Sequence, residues 1–362
     1  MALVLTGCCS QETSVAPLKV VGTQLTADGK PVAFRGISFG WHNIWPRFYN
    51  KAAVKQLHED TGCMIFRAAI GADDHALADN PGIPSGYMGE PEWALEKLYE
   101  VVDGAIENGC YVIVDWHSHV LHPEAAKEFF TAVATKYKGV PNVIYELFNE
   151  PVCFSFEEWR ENPYEDLGNP GAMMAYWQTL KEYATMLIDT IKAIDPSEPL
   201  ILMGCPSWDQ RVDLPAASPV EGYSNLMYTM HFYAATHKNL REACDAAIAA
   251  GIPIFVSECA ACEATGDGPM DLEEWQRYSD WADANGISMM TWSISDKVET
   301  CSMFTKAASS EGPWTDEVIK PWGKIVKDWI LVATKYPRKS AIIKCGNHFK
   351  TASSDETIRS FR

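Results

Sequence analysis

Short apolar runs alternate along this chain with longer stretches in which apolar positions recur every three or four residues, separating buried strands from amphipathic helices. The short runs predict eight strands, at 32–39, 64–70, 111–116, 143–149, 200–205, 226–232, 252–258 and 288–294. The longer stretches predict helices at 51–60, 91–108, 123–138, 172–194, 208–216, 240–250, 272–285 and 316–333. Gly62, Gly109, Gly251 and Gly286 each fall just after a helix and before a strand, where a helix-terminating glycine belongs. All eight strands are similarly apolar, as in a parallel sheet covered on both faces. The pattern predicts an α/β chain folded as a single (β/α)8 TIM barrel over residues 19–334. A doubly wound open sheet is the alternative, and it would leave edge strands.

The ends depart from this rhythm. Residues 1–18 read as a truncated lipoprotein-type signal and tether: Leu5-Thr6-Gly7-Cys8 resembles the pattern in which a cysteine becomes lipidated, and the stretch after it is polar. That makes Cys8 a candidate lipid anchor and the chain a candidate for export or cell-surface display. Residues 335–362 hold seven Lys or Arg against two acids and little periodicity, and read as a disordered or appended basic tail. No run of 18 apolar residues is present to cross a membrane.

A net charge of −18 disfavours a nucleic-acid partner, since phosphate binding needs a cationic face. The 13 Trp, 14 Tyr and 14 Phe supply core and, at the surface, rings suited to stacking on sugars. The 11 cysteines lie in strand-like runs and loops without paired zinc-knuckle spacing, so Cys259 and Cys262 predict no metal site, and no disulfide is assigned. No cofactor is called for, and a monomer is expected.

The chemistry gathers where strands end. Val143-Ile144-Tyr145-Glu146-Leu147-Phe148-Asn149-Glu150 and Ile252-Pro253-Ile254-Phe255-Val256-Ser257-Glu258 each run into a glutamate, at the rim where barrels keep their sites. Either glutamate alone could be a structural partner for Arg or Lys. Together, Glu150 and Glu258 suit glycosidic cleavage, in which one carboxyl protonates the leaving oxygen and the other meets the charge at the sugar carbon. Asn149 offers a donor for a sugar hydroxyl. Arg67, inside an apolar strand, needs a carboxylate and is expected to hold Glu258 ionised, with Tyr233 donating to the same group. His117 and His231 are expected to bond sugar hydroxyls or tune the acid, although each could be an ordinary core histidine.

Arg67, His117, Asn149-Glu150-Pro151, His231 with Tyr233, Glu258 and Trp292 resemble the residue set of family 5 glycoside hydrolases, in clan A. The likeness covers about residues 20–333. The stretches Gly36-Ile37-Ser38-Phe39-Gly40-Trp41-His42, Val114-Asp115-Trp116-His117, Met230-His231-Phe232-Tyr233-Ala234 and Trp292-Ser293-Ile294-Ser295-Asp296-Lys297 resemble its bacterial endo-β-1,4-glucanase branch. The resemblance implies a retaining endoglucanase acting on cellulose or related β-glucans, with Glu150 the acid/base and Glu258 the nucleophile. It further implies Trp41 and Trp292 as stacking platforms, His42 as a supporting residue and Lys297 as a donor to a sugar hydroxyl. Two departures stand out: Cys259-Ala260-Ala261-Cys262 after the nucleophile, and a long connection at 152–172 placed to form a lid or subsite wall.

The expected reaction is double displacement with carboxyls about 5 to 5.5 Å apart. Two other readings compete: a metal-dependent hydrolase using His117, His119, His231 and Glu258, and a non-catalytic glucan-binding protein. Which β-glucan, xyloglucan, mannan or xylan is preferred does not follow from sequence, because loop shape reads that difference.

Overall fold

The computed structural model describes residues 15–73, 84–152 and 170–335. Cys8, residues 153–169 of the long connection and the tail from 336 lie outside the described residues. Eight parallel strands close into a barrel: β4 (Arg35–Phe39), β5 (Ile65–Gly71), β6 (Tyr111–His117), β7 (Val143–Glu146), β8 (Ile201–Met203), β9 (Leu226–Tyr233), β10 (Ile254–Ala260) and β11 (Met289–Ile294), with β11 pairing back onto β4. Helices α1 (Lys51–Thr61), α2 (Pro91–Glu107), α3 (Pro123–Lys136), α4 (Pro170–Ile194), α5 (Asp213–Ala217), α6 (Leu240–Ala249), α7 (Leu272–Asn285) and α8 (Pro321–Lys335) follow the strands around it. The predicted (β/α)8 barrel is the observed fold, and closure excludes the open sheet. The four punctuating glycines all have positive φ, between 64° and 89°.

Three expectations are corrected. Residues 15–18 are not tether: Leu18 is buried and opens a small antiparallel sheet, β1 (Leu18–Val21), β2 (Gln24–Ala27) and β3 (Lys30–Pro31), and the Tyr111 hydroxyl donates to the Ala16 carbonyl. These strands were missed because they are shorter than the window in which alternation shows. Leu18 and Leu25 pack on Ile65, Ile113, Ile144, Leu202, Met227, Phe255 and Met290 and plug the N-terminal end of the barrel. Second, no helix spans 208–216; a tight turn at Pro206–Asp209 precedes the short α5, because the Asp209 side chain is drawn inward. Third, β7 and β8 are shorter than the apolar runs suggested, since the chain leaves the ladder to aim Asn149 and Glu150 into the mouth.

Period-two alternation positions the site. Along the strands Ile65, Ile113, Ile144 and Met227 fill the lower interior. Arg67, Asp115, Glu146 and Thr229, two residues further on, are fully buried one layer higher. His117 and His231 stand above them. The apolar lower interior and the polar layer above it therefore come from one alternation.

Candidate active site

Arg67, sealed from water, anchors the polar layer. Its Nε donates to Glu146 Oε2 at 2.7 Å, its Nη2 to Asn149 Oδ1 at 2.7 Å, and its Nη1 to Glu258 Oε2 at 2.9 Å. Asp115 Oδ2 lies 2.9 Å from Nη2. Three carboxylates thus share one guanidinium, and burial pushes Asp115 up to about 7 against the pull of Arg67, with Glu146 also raised by burial. Glu146 and Asp115 sit behind Arg67, and its Nη1 is the edge that meets Glu258. The Tyr233 hydroxyl donates to the other oxygen of Glu258 at 2.7 Å. Both predicted supports of Glu258 are present.

Strand β10 carries a register shift against both neighbours between Phe255 and Cys259, a bulge that turns Glu258 into the mouth beside its β9 partner His231. Glu150 faces it from the loop after β7, and its Oε1 lies 3.0 Å from His231 Nδ1. Ligand atoms of Glu150, His231 and Glu258 all lie within 4.8 Å of one another. Burial lowers His231 to about 4, so the ring is neutral. The Glu150 amide donates to Asp209 Oδ2 at 2.9 Å.

The wall is aromatic. His117, Nδ1 2.7 Å from Asp115 Oδ2, stacks on Trp292 with centroids 5.4 Å apart and an angle of 9°. Trp41 meets the same imidazole edge-on at 4.6 Å. Of the predicted residues, Arg67, His117, Asn149, Glu150, His231, Tyr233, Glu258, Trp292 and Trp41 therefore converge. Lys297 lies further out, half exposed and paired with Glu299 at 2.5 Å. His42 is sealed beneath the rim, where Nδ1 accepts from the Gly71 amide at 3.1 Å and burial lowers it to about 3.

Four contributors were missed: Asp115 and Glu146 as partners of Arg67, Ser257 at 2.8 Å from His231 Nε2, and Asp209. The phase of alternation marks the first two, since Glu146 shares a face with Ile144 and Asp115 with Ile113. Nothing local marks Asp209, whose partners are distant in sequence.

Glu150, His231 and Glu258 form the one candidate metal cluster among the described residues, and it differs from the predicted set in lacking His117 and His119. Its atoms already have protein partners: both oxygens of Glu258 accept from Arg67 and Tyr233, and both nitrogens of His231 face Glu150 and Ser257. A cation there would also sit against the Arg67 guanidinium. These contacts disfavour a metal.

Two carboxyl groups facing across the mouth of a (β/α)8 barrel, one gripped by Arg and Tyr and the other by His, define the architecture of a glycoside hydrolase. The chain belongs to the cellulase family, glycosyl hydrolase family 5, whose family model matches residues 25–298. It is 35% identical over 317 residues to an endoglucanase of Clostridium saccharobutylicum, covering 86% of this chain and 64% of that protein. It is 34% identical over 318 residues to endoglucanase Z of Dickeya dadantii, covering 85% and 67%. The chain thus spans roughly two thirds or less of these curated relatives. A solved protein from Cytophaga hutchinsonii matches at TM-score 0.78 and 35% identity, over 89% of this chain and 96% of that one. The catalytic domain of Thermobifida fusca endoglucanase Cel5A matches at TM-score 0.73 and 29% identity, over 87% and 97%.

Proposed function

We propose that the chain is a retaining endo-β-1,4-glucanase. The observation that carries this reading is the approach of Glu150 and Glu258 within 4.8 Å. That spacing between one oxygen of each group agrees with the carboxyl separation of about 5 to 5.5 Å used by retaining enzymes. Glu258 attacks the anomeric carbon while the Glu150 proton passes to the leaving oxygen. Glu150 then takes a proton from the water that releases the sugar. Donors at both oxygens of Glu258 hold its attacking geometry, and the aromatic wall of Trp41 and Trp292 receives sugar faces. A β-1,4-glucan substrate is further supported by a Thermobifida fusca Cel5A structure solved with cellotetraose. Export belongs to this reading because a glucan polymer lies outside the cell, and Cys8 is the candidate attachment point.

Incubation with cellotetraose, carboxymethylcellulose, mixed-linkage glucan, xyloglucan, mannan and xylan, with product sizing and proton NMR of the first anomer formed, tests this. The expected result is internal cleavage of the β-1,4-glucans with a β-anomer appearing first. An α-anomer, or no cleavage of any glucan, would overturn it.

A further inference from the structure

The turn after β8 holds three consecutive non-glycine residues in the left-handed region, Ser207, Trp208 and Asp209, with φ of 63°, 54° and 58°. Glu150, which it contacts, has φ of 45°. Each such residue costs on the order of 1 kcal/mol or more, so the conformation persists only where the surroundings impose it. The imposing group is the Asp209 carboxyl, which is wholly buried. Its Oδ1 accepts from the Cys205 amide and, at 2.7 Å, from the Thr229 hydroxyl. Its Oδ2 accepts the Glu150 amide at 2.9 Å, and the Ser207 amide donates back to the Pro151 carbonyl at 3.0 Å. The turn and the Glu150 loop brace each other.

The same Oδ2 lies 3.3 Å from His231 Nε2, while His231 Nδ1 lies 3.0 Å from Glu150 Oε1. Glu150 therefore faces Nδ1, while Nε2 is hydrogen-bonded to the Ser257 hydroxyl at 2.8 Å with the Asp209 carboxyl close behind it. Burial raises the Asp209 carboxyl, while the Thr229 hydroxyl and the Glu150 amide, donating to its oxygens, pull it down and keep those oxygens acceptors. A neutral ring carries one proton, and an acceptor beside Nε2 draws it there. Nδ1 then has a lone pair for the proton of the acid form of Glu150.

We propose that Asp209 is a positioning residue for proton donation by Glu150, fixing that residue's backbone and selecting the His231 tautomer whose Nδ1 accepts from the acid. This rests on the glycosidase reading above. The other groups facing the trio are Ser257 and Glu146 at His231 Nε2, His119 at 3.7 Å from Glu150 Oε2, and Arg67, Tyr233, His237 and Glu258 around them. All are left in place by the test.

Asp209→Asn keeps the shape but puts an amide where acceptors are needed. The measurement is kcat/KM on two substrates: cellotetraose, whose leaving sugar needs a proton, and 2,4-dinitrophenyl β-cellobioside, whose phenolate leaves without one. General acid catalysis supplies roughly 10²- to 10⁴-fold, so losing part of it should lower the cellotetraose value at least about 30-fold and the aryl glycoside value less than about threefold. The alkaline limb of the cellotetraose profile should move to lower pH. Thr229→Val, which removes one tether and keeps Asp209, should show the same split at smaller size and serves if the first variant does not fold. Equal losses on both substrates, or no loss, overturn the proposal. An inactive unsubstituted protein sinks the glycosidase reading instead.

Discussion

Arg67 Nη1 sits 2.9 Å from Glu258 Oε2, with the guanidinium entirely out of water. The same guanidinium also meets Asp115 and Glu146, so removing it would strand a cluster of buried carboxyls. Arg67→Met should destabilise the fold by about 3–5 kcal/mol, the usual cost of breaking a buried pair from one side. Chemical denaturation checks this, and unchanged stability would refute the role of Arg67 as anchor.

Tyr233 reaches Glu258 through one hydroxyl, at 2.7 Å. Tyr233→Phe removes that bond and nothing else of size. A hydrogen bond to a charged group is worth about 1.5–3 kcal/mol, so kcat/KM on cellotetraose should fall roughly 10- to 100-fold. Thermal unfolding should show the variant folded, which separates the effect from collapse of the site.

Gly204 is a point of close approach. A Cβ there would meet the Phe148 carbonyl oxygen at 2.2 Å, Pro151 Cδ at 3.0 Å and Asp209 Oδ1 at 3.2 Å. Gly204→Ala must push the Glu150 loop away from the turn that braces it. Overpacking of this kind costs about 1–3 kcal/mol. Melting temperature and glucanase activity should both drop, and full activity would show that the two loops are not coupled.

His42 supplies a pH effect with a definite sign. Burial lowers it to about 3 in the folded chain, against 6.5 when free, so between these values the unfolded chain holds the extra proton. Its contribution is complete above pH 6.5 and is lost as pH falls toward 3. His42→Phe cannot titrate, so between pH 7 and pH 4 it should lose about 3 kcal/mol less stability than the unsubstituted protein, at 1.36 kcal/mol per unit. Parallel stability curves for the two proteins would contradict this.

The barrel was legible because eight apolar runs and their glycine punctuation repeat one physical demand, burial of a strand on both faces. Arg67 and Glu258 were legible because a charge inside an apolar run needs a partner. The plug at β1–β3 was not, since two- and four-residue strands carry too few positions to show a period. Nor was the turn at Pro206–Asp209: read locally, Trp208 onward favours a helix, and only contacts to Glu150 and Thr229 override it. His42 sat in a motif stretch whose likeness placed it near the cleft, yet packing took it beneath the rim. Sequence showed which residues gather at the mouth but not which of them hold the others still.

The small sheet built on Leu18 and Leu25 stoppers the barrel at the end opposite Glu150 and Glu258. Val15, the first described residue, packs on that stopper at the floor of the molecule. The chain thus enters the barrel from the face turned away from the cleft, so additions on the Val15 side of the fold leave the open mouth unshadowed.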